Sequence, residues 1–380
     1  MLNSEKAEAD VRSLLPLVAV MALTFLATVF LTKLSLGLAL AGVGAFILGL
    51  VCFMNPALGL YILIFAMLLG PQFGAGDVAG AASRGRGLTL RLDDFLLLII
   101  GFSWFLSTAV SKEKGLFLRT PLNRYIAYYF IVCLVSTLVG YIMGRVKGIS
   151  GILFILKYFE YYIVYFMAVN YLKEKKQMER LVMTMLVVCC IVCAIAIYQI
   201  PSGVRVSAPF EGERGEPNTL GGYLVLMLSI VLGFLSHKYG TARQKFFFGI
   251  LVFLILVTLA ATLSRSAWLA LIPMLFALIW FSQRKLFVVI PLILLVAATA
   301  LLLPSAVRER ALYTFTQRAE RGQVVIGGVR IDTSTSARLL SWKTVLARDF
   351  IEQPVIGYGV TGYSFVDAQY PRVLAETGLV

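Results

Sequence analysis

The feature that most constrains this chain is a series of apolar runs, each about 16–22 residues long, spread over almost its whole length. A helix needs about 20 apolar residues to cross the roughly 30 Å hydrocarbon core of a bilayer. A membrane β-barrel would instead show short segments of alternating hydrophobicity. We predict eleven spans, at 14–32, 34–53, 56–70, 93–110, 125–143, 150–172, 181–200, 219–236, 246–263, 267–282 and 286–303. The sequence therefore predicts an all-α, polytopic integral membrane protein with about 11–12 transmembrane helices.

This pattern divides the chain into three parts. Residues 1–303 form the predicted transmembrane bundle, and 304–370 form one large extramembrane loop with amphipathic helices expected near 305–321 and 336–350. A twelfth span is expected to begin near Pro371, so that 371–380 is the start of a last helix cut short at Val380.

Composition excludes a water-soluble domain, because 59% of the residues are hydrophobic and only 14% are charged, against about 45–50% and about 25% in soluble proteins. The net charge of +14 lies mostly in loops between spans, where basic residues act as topology signals and lipid contacts. No cluster of basic and aromatic residues indicates nucleic-acid binding. All five cysteines fall inside predicted spans, which favours packing over redox or metal chemistry.

The orientation follows from the basic residues of the short loops. With a cytoplasmic N-terminus, the inside loops hold 15 lysines and arginines and the outside loops hold 9. Cytoplasmic loops carry the excess of basic residues in most membrane proteins. We therefore expect the large loop, 304–370, on the far side of the membrane.

Two arginines stand out on that side. Arg265 lies in a very short hairpin, Thr262–Trp268, between two spans, where an arginine meets an anion or extends its side chain to the interface. Arg338 and Trp342 are four residues apart and share a helix face, so they belong either to a binding site or to an amphipathic surface helix.

A loop on the same side runs from Arg205 through Asn218 into a span. It is either part of a binding site or a plain connection.

Charged residues inside or beside spans give two more candidates. Lys157 and Glu160 are spaced i, i+3 and can pair on one helix face, either structurally or as substrate contacts. Asp93 and Asp94 begin a span; they either cap the helix or form the acidic metal site of some membrane glycosyltransferases.

Four motifs, taken in order, resemble the O-antigen ligase and polymerase family. They are the loop Arg205–Gly222, the turn Ser264-Arg265-Ser266, the segment Arg338-x3-Trp342 followed by Pro354-x2-Gly357-x-Gly359, and the stretch Asp367-Ala-Gln-Tyr370-Pro-Arg-Val-Leu374-Ala-Glu376-Thr-Gly378. The resemblance covers residues 200–380, and the number of spans agrees over the whole chain. Asp367 stands where ligases usually carry histidine and polymerase-like members more often carry aspartate. Ala368 and Pro371 replace the usual asparagine and leucine.

The resemblance implies a bacterial inner-membrane enzyme with one large periplasmic loop. Such enzymes transfer a glycan from undecaprenyl diphosphate to a sugar hydroxyl, with inversion and without a metal or other cofactor. The acceptor is another lipid-linked repeat for a polymerase and lipid A core for a ligase. A transporter or flippase of lipid-linked glycan is the alternative from another class, although no internal repeat supports it. The expected partners are the lipid-linked glycan, membrane lipids, and a chain-length regulator or other polysaccharide-assembly proteins.

Roles follow from this chemistry. Guanidinium groups stabilise a departing diphosphate without a metal, which suits Arg265 and Arg338. A carboxylate can accept the proton of the acceptor hydroxyl, which suits Asp367. The expected substrate-binding residues are Arg205, Asn218, Lys157, Glu160 and Trp342.

Overall fold

The fold is described from a computed structural model, in which most of the spans and the second half of the large loop are defined. The described residues are 36–70, 72–73, 90–110, 119–203, 205–209, 216–236, 240–282, 290, 293, 317, 322–326, 328–364, 366 and 368–379.

The described part of the chain is a bundle of nine apolar helices. They are α1 Leu36–Met54, α2 Pro56–Leu69, α3 Leu92–Val110, α4 Asn123–Ile142, α5 Ser150–Tyr171, α6 Lys175–Gln199, α7 Pro217–Ser236, α8 Ala242–Ala261 and α9 Arg265–Phe281. Six of them, α3 to α8, are long and apolar enough to cross a membrane, and α1, α2 and α9 are shorter apolar helices. The all-α polytopic fold is confirmed. Spans 14–32 and 286–303 lie wholly or almost wholly outside the described residues, so the total of 11–12 helices stays a prediction.

Several helices begin at the polar residues that mark the predicted boundaries in the sequence. Ser264 begins α9 by accepting a hydrogen bond from the backbone of Ala267, and Thr241 begins α8 in a capping box with Gln244. Between such caps the backbone satisfies its own hydrogen bonds, as a chain in lipid must.

The bundle has two main packing centres. One joins α6, α7, α8 and α9 around side chains such as Leu186, Leu228 and Phe248. The other joins α1, α2, α3 and α5 around Leu63, Ile100 and Met167. Together they fix the helix ends from which the site is built.

The cysteines lie inside this packing. All five are free thiols, and only Cys190 is partly exposed, while the others are buried. The burial of Cys193 supports the packing interpretation of the CxxC pair Cys190 and Cys193.

Two short hairpins lie outside the helices. Strand β1, Gln72–Phe73, pairs antiparallel with β2, Leu90–Arg91, just before α3. In the large loop, β3, Val325–Ile326, pairs with β4, Val329–Arg330.

The large loop continues as helix α10, Thr333–Thr344, then a π-helical turn, Val345–Asp349, and a final short turn, Phe350–Glu352. The helix expected near 336–350 is thus present but begins earlier. The one expected near 305–321 lies outside the described residues, apart from Gln317.

The last described helix is short. Helix α11, Gln369–Thr377, is amphipathic, with Glu376 buried and Tyr370 exposed. It ends at Gly378, whose φ is 74°, and Leu379 then donates its backbone hydrogen bond to Pro354. A last membrane span that begins near Pro371 stays a prediction.

Three of the segments expected on the far side lie at one end of the bundle. The α4–α5 turn, the α8–α9 turn and the described part of the large loop all contact one another or their neighbours there. We expect reporter fusions at Gly322 to give a periplasmic signal and fusions at Lys175 a cytoplasmic one. A cytoplasmic signal at Gly322 would contradict this orientation.

Candidate active site at one end of the bundle

The tight α8–α9 turn is the foundation of the site. Leu263 adopts a φ of 51°, which is uncommon for a residue with a side chain, and Ser264 is fully buried. Because Ser264 caps α9, the first residue of that helix is Arg265. The turn therefore places this arginine at the end of the bundle, on a rigid helix start.

Arg205 supports the α8–α9 turn through two hydrogen bonds. Its Nε donates to the carbonyl of Thr262 at 3.0 Å, and its Nη2 donates to that of Leu263 at 3.3 Å. These carbonyls belong to the C-terminal end of α8, where helices carry partial negative charge. Arg205 therefore contacts the hairpin carbonyls, and its expected contact with substrate stays a prediction.

Asn218 also supports the α8–α9 turn, through a hydrogen bond with Ser264. Its Oδ1 accepts a hydrogen bond from the Ser264 hydroxyl at 2.9 Å, while its Nδ2 donates to Glu216 at 3.1 Å. Gly221 allows this approach, because a Cβ there would lie 2.7 Å from that of Ala267. The structure thus brings together the Arg205–Gly222 loop and the Arg265 turn, which are two of the four sequence motifs.

Arg265 is held by an acidic residue that the sequence analysis did not identify. Its Nη2 lies 2.9 Å from Oδ2 of Asp332, and the side chains are 22% and 0% exposed, respectively. Asp332 is also the N-cap of α10, where it accepts a hydrogen bond from the backbone of Thr335. This ion pair therefore links the membrane helix α9 to the first helix after the β3–β4 hairpin.

The charge state of Asp332 follows from these contacts. Burial alone would raise its pKa, but the hydrogen bonds from Arg265 and Thr335 outweigh burial and lower the pKa below its ordinary value. The ion pair is consequently intact at neutral pH and is lost only as the pH falls through that lowered value. Among the described residues, Oδ1 of Asp332 has no hydrogen-bond partner.

Arg338 and Trp342 lie on α10, as the spacing predicts. Arg338 is partly buried and Trp342 is 36% exposed. Arg338 is six residues beyond Asp332, about 9 Å along the helix axis. The π-helical turn that follows, Val345–Asp349, is of a kind found often at functional sites.

Asp367 lies outside the described residues. On either side of it, Val366 is buried and Ala368 occupies the N-cap position of α11 without a side-chain cap. The roles of Asp367 as a general base and as a cap of the last helix both stay predictions.

A glycine-bearing turn before α11 packs into the end of the bundle. Val360 donates its backbone hydrogen bond to the Thr137 hydroxyl of α4, and Ser136 donates to the carbonyl of Ile356. Gly359 has a φ of 90°, and a Cβ there would lie 3.0 Å from the Ser136 carbonyl. The Pro354-x2-Gly357-x-Gly359 motif is therefore a docking element for the loop.

A second polar cluster lies beneath this turn. Arg372 donates to the Tyr158 hydroxyl of α5 at 2.7 Å and lies 3.5 Å from Glu376, which is itself buried. Arg372 and Glu376 both belong to the last of the four sequence motifs. Tyr158, the partner of Arg372, is 214 positions away in the sequence, so local spacing gave no signal for this contact.

Lys157 has a partner on a neighbouring helix. Its Nζ lies 3.1 Å from Oδ2 of Asp94 in α3. Glu160 interacts with both Asp94 and Lys157. Asp94 therefore joins the predicted Lys157–Glu160 pair, because α3 and α5 pack side by side.

Asp94 is the third residue of α3, and its carboxylate accepts a hydrogen bond from the backbone of Arg91 at 2.9 Å. This contact satisfies a backbone donor at the start of the helix, as the capping interpretation of the sequence requires of one member of the pair. Asp93 instead lies 3.0 Å from the Arg91 guanidinium.

A paired-variant test follows from the Lys157–Asp94 contact. We expect Lys157→Met and Asp94→Asn each to lower the amount of protein in the membrane, because each leaves its partner's charge uncompensated. The double variant should accumulate better than either single one, measured by quantitative immunoblotting. If protein amount recovers only when Lys157→Met is combined with Glu160→Gln, then Glu160 and not Asp94 is the main partner of Lys157.

Comparison with known protein families agrees with this geometry. Residues 250–379 match a family model described as O-antigen ligase. This part of the chain belongs to that family. The matched region contains the Arg265 turn, Asp332, Arg338 and Glu376, so the O-antigen ligase domain includes most of the site. No curated protein and no solved structure matches the chain.

The match supports a glycan transferase of the O-antigen ligase and polymerase type, and the helices support a multi-pass membrane protein. Arg205, Asn218 and Lys157 precede the matched region, and they join it only through the packing of the bundle.

Proposed function

We propose that this protein is a glycan polymerase of the bacterial inner membrane. It transfers an oligosaccharide from a polyprenyl diphosphate to a sugar hydroxyl of another lipid-linked repeat, on the periplasmic side. The O-antigen ligase domain supports the reaction class. Aspartate rather than histidine at position 367 favours the polymerase over the ligase.

The observation that carries the proposal is the placement of Arg265. The guanidinium is fixed by Asp332 at the end of the bundle, 22% exposed, on a turn braced by Arg205 and Asn218. A group fixed in advance stabilises developing charge without reorganising during the reaction. The planar guanidinium group of Arg265 can form hydrogen bonds to two phosphate oxygens at once, which the ammonium group of a lysine cannot do in the same geometry.

The reaction proposed at this site is a direct displacement. The acceptor hydroxyl oxygen forms a bond to the anomeric carbon of the donor while the bond from that carbon to the diphosphate oxygen breaks. The bonding electrons leave with the diphosphate, towards Arg265 and Arg338, and the hydroxyl proton passes to the Asp367 carboxylate. Attack opposite the leaving group inverts the configuration of the anomeric carbon.

The remaining predicted contacts fit around this centre. Trp342 is exposed one helical turn beyond Arg338, where an aromatic ring can cover a sugar face. Lys157 and Glu160 lie deeper, with Asp94, so we assign them to the structure of the site and not to the substrate.

Ligase activity is the second candidate, because the matching family is that of O-antigen ligase. The two reactions share a donor and differ in the acceptor. Analysis of glycans in cells lacking the gene separates them. Loss of a polymerase leaves single repeats, whereas loss of a ligase leaves long glycan on the lipid carrier that is not attached to lipid A core. Unchanged glycan in such cells would contradict both.

A further inference from the structure

A cavity lies at the end of the bundle opposite the candidate active site. It has a volume of about 570 Å³ and opens to the surface between α2, α6 and α8. Its lining residues are Tyr61, Lys176, Glu179, Arg180, Met183, Thr184 and Gln244. Gln244 and the α8–α9 turn stand at opposite ends of α8, about 26 Å apart at 1.5 Å per residue. The cavity is therefore distinct from the active site.

The charge of this cavity is positive. Lys176 and Arg180 both line it, and within the described ranges neither side chain takes part in a recorded ion pair. Glu179 also lines it, but it is paired with Lys175 at 3.8 Å. The lining residues Lys176 and Arg180 outnumber Glu179, whose charge is offset by Lys175, so a net positive charge faces the opening. Such a cavity is complementary to an anion.

The lining changes from charged to apolar with depth. Lys176, Arg180 and Met183 lie along one stripe of α6, at the spacing of a single helix face. From Lys176 to Met183 the helix rises about 10 Å. Met183 and the Tyr61 ring form the deeper wall, and Met183 packs against the bundle core. This gradient matches a molecule with an anionic head and an apolar tail.

Polar groups at the rim complete the match. The Gln244 side chain reaches the cavity from α8 while its Oε1 accepts the backbone hydrogen bond of Thr241. The Thr184 hydroxyl is engaged with the carbonyl of Arg180. The amide of Gln244 is thus held at the opening, where it can donate to a phosphate or glycerol oxygen.

We propose that this cavity binds one anionic phospholipid, with its phosphate on Lys176 and Arg180 and its upper acyl chain along Met183 and Tyr61. A basic pocket between transmembrane helices is a known kind of site for anionic lipid head groups. The bound lipid joins α2, α6 and α8 where those helices begin. The proposal is independent of the glycan chemistry at the other end.

The test uses the full-length protein purified in neutral detergent and titrated with phosphatidylglycerol, with binding counted by native mass spectrometry. Lys176→Gln with Arg180→Gln should weaken binding about 30-fold, since each basic residue near an anionic lipid surface contributes about fivefold. The matched control is Lys173→Gln with Arg243→Gln. It removes the same charge from exposed positions at the same end and should leave affinity within about twofold.

A second variant separates shape from charge. Met183→Trp keeps both cations and fills the apolar wall, so it should also weaken phosphatidylglycerol binding. Equal losses in the cavity and control variants would show diffuse attraction and overturn the site. Equal binding of phosphatidylcholine, or full displacement by glycerol phosphate at matched concentration, would overturn an anionic lipid as the occupant.

Discussion

Replacing Arg265 by alanine is expected to lower glycan transfer by about 10²–10³-fold, the usual loss when one fixed donor to a charged transition state is removed. Transfer is measured with purified protein and a lipid-linked glycan donor, as polymer formed per unit of enzyme. Arg265→Lys should recover only part of the rate, because an ammonium group cannot form the two-pronged contact.

The ion pair with Asp332 demands a specific control. Arg265→Ala leaves a fully buried carboxylate without its partner, and breaking a buried pair costs up to about 3–5 kcal/mol. Loss of folding could therefore imitate loss of catalysis. Asp332→Asn keeps a good N-cap for α10 and removes the charge. The double variant, Arg265→Ala with Asp332→Asn, should accumulate normally and still be inactive.

Arg338→Ala tests the same role on the other side of the site. It should reduce transfer by a similar factor while the protein accumulates, since Arg338 is partly exposed on α10. Wild-type polymer from the Arg265–Asp332 double variant would remove Arg265 from the mechanism. Wild-type polymer from Arg338→Ala would do the same for Arg338.

Asp367→Asn is expected to reduce transfer by about 10²–10⁴-fold, the usual contribution of a positioned general base. A positioned carboxylate can accept the proton of the acceptor hydroxyl. Asparagine keeps the size of the side chain and removes the base. Donor binding, measured separately, should be little changed.

Two further variants sharpen the role of Asp367. Asp367→His introduces the residue that ligases usually carry and should retain part of the activity, with a pH profile shifted towards that of an imidazole. Ala368→Asp places a carboxylate on the N-cap of α11 and serves as the capping control. If Asp367→Asn makes normal amounts of polymer, the base must be another group.

The sequence predicted the helices well because their signals are local. Apolar length sets each span, and residues such as Ser264 and Asp94 mark helix starts through contacts within three positions. The motif residues Arg265 and Arg338 were found in the same way, from short patterns that keep their meaning whatever the rest of the fold does.

Partners distant in the sequence could not be found in this way. Arg265 and Asp332 are 67 positions apart, and Lys157 and Asp94 are 63 apart. Local spacing indicated Glu160 as a neighbour of Lys157, but the contact with Asp94 depends on the packing of α3 against α5. The acidic residue before Thr333-Ser-Thr-Ser was a recognisable helix cap, but nothing nearby in the sequence showed that it would hold an arginine.

The glycine-bearing turn between Pro354 and Gly362 has a consequence for protein engineering. Its backbone is hydrogen-bonded to Thr137 and to the carbonyls of Ala375 and Glu376, so the loop and the outer end of α4 share one interface. Chimeras that exchange only the large loop between family members should assemble poorly. Exchanging residues 133–151 together with the loop preserves that interface, and such paired grafts offer a practical way to transfer acceptor specificity from one enzyme to another.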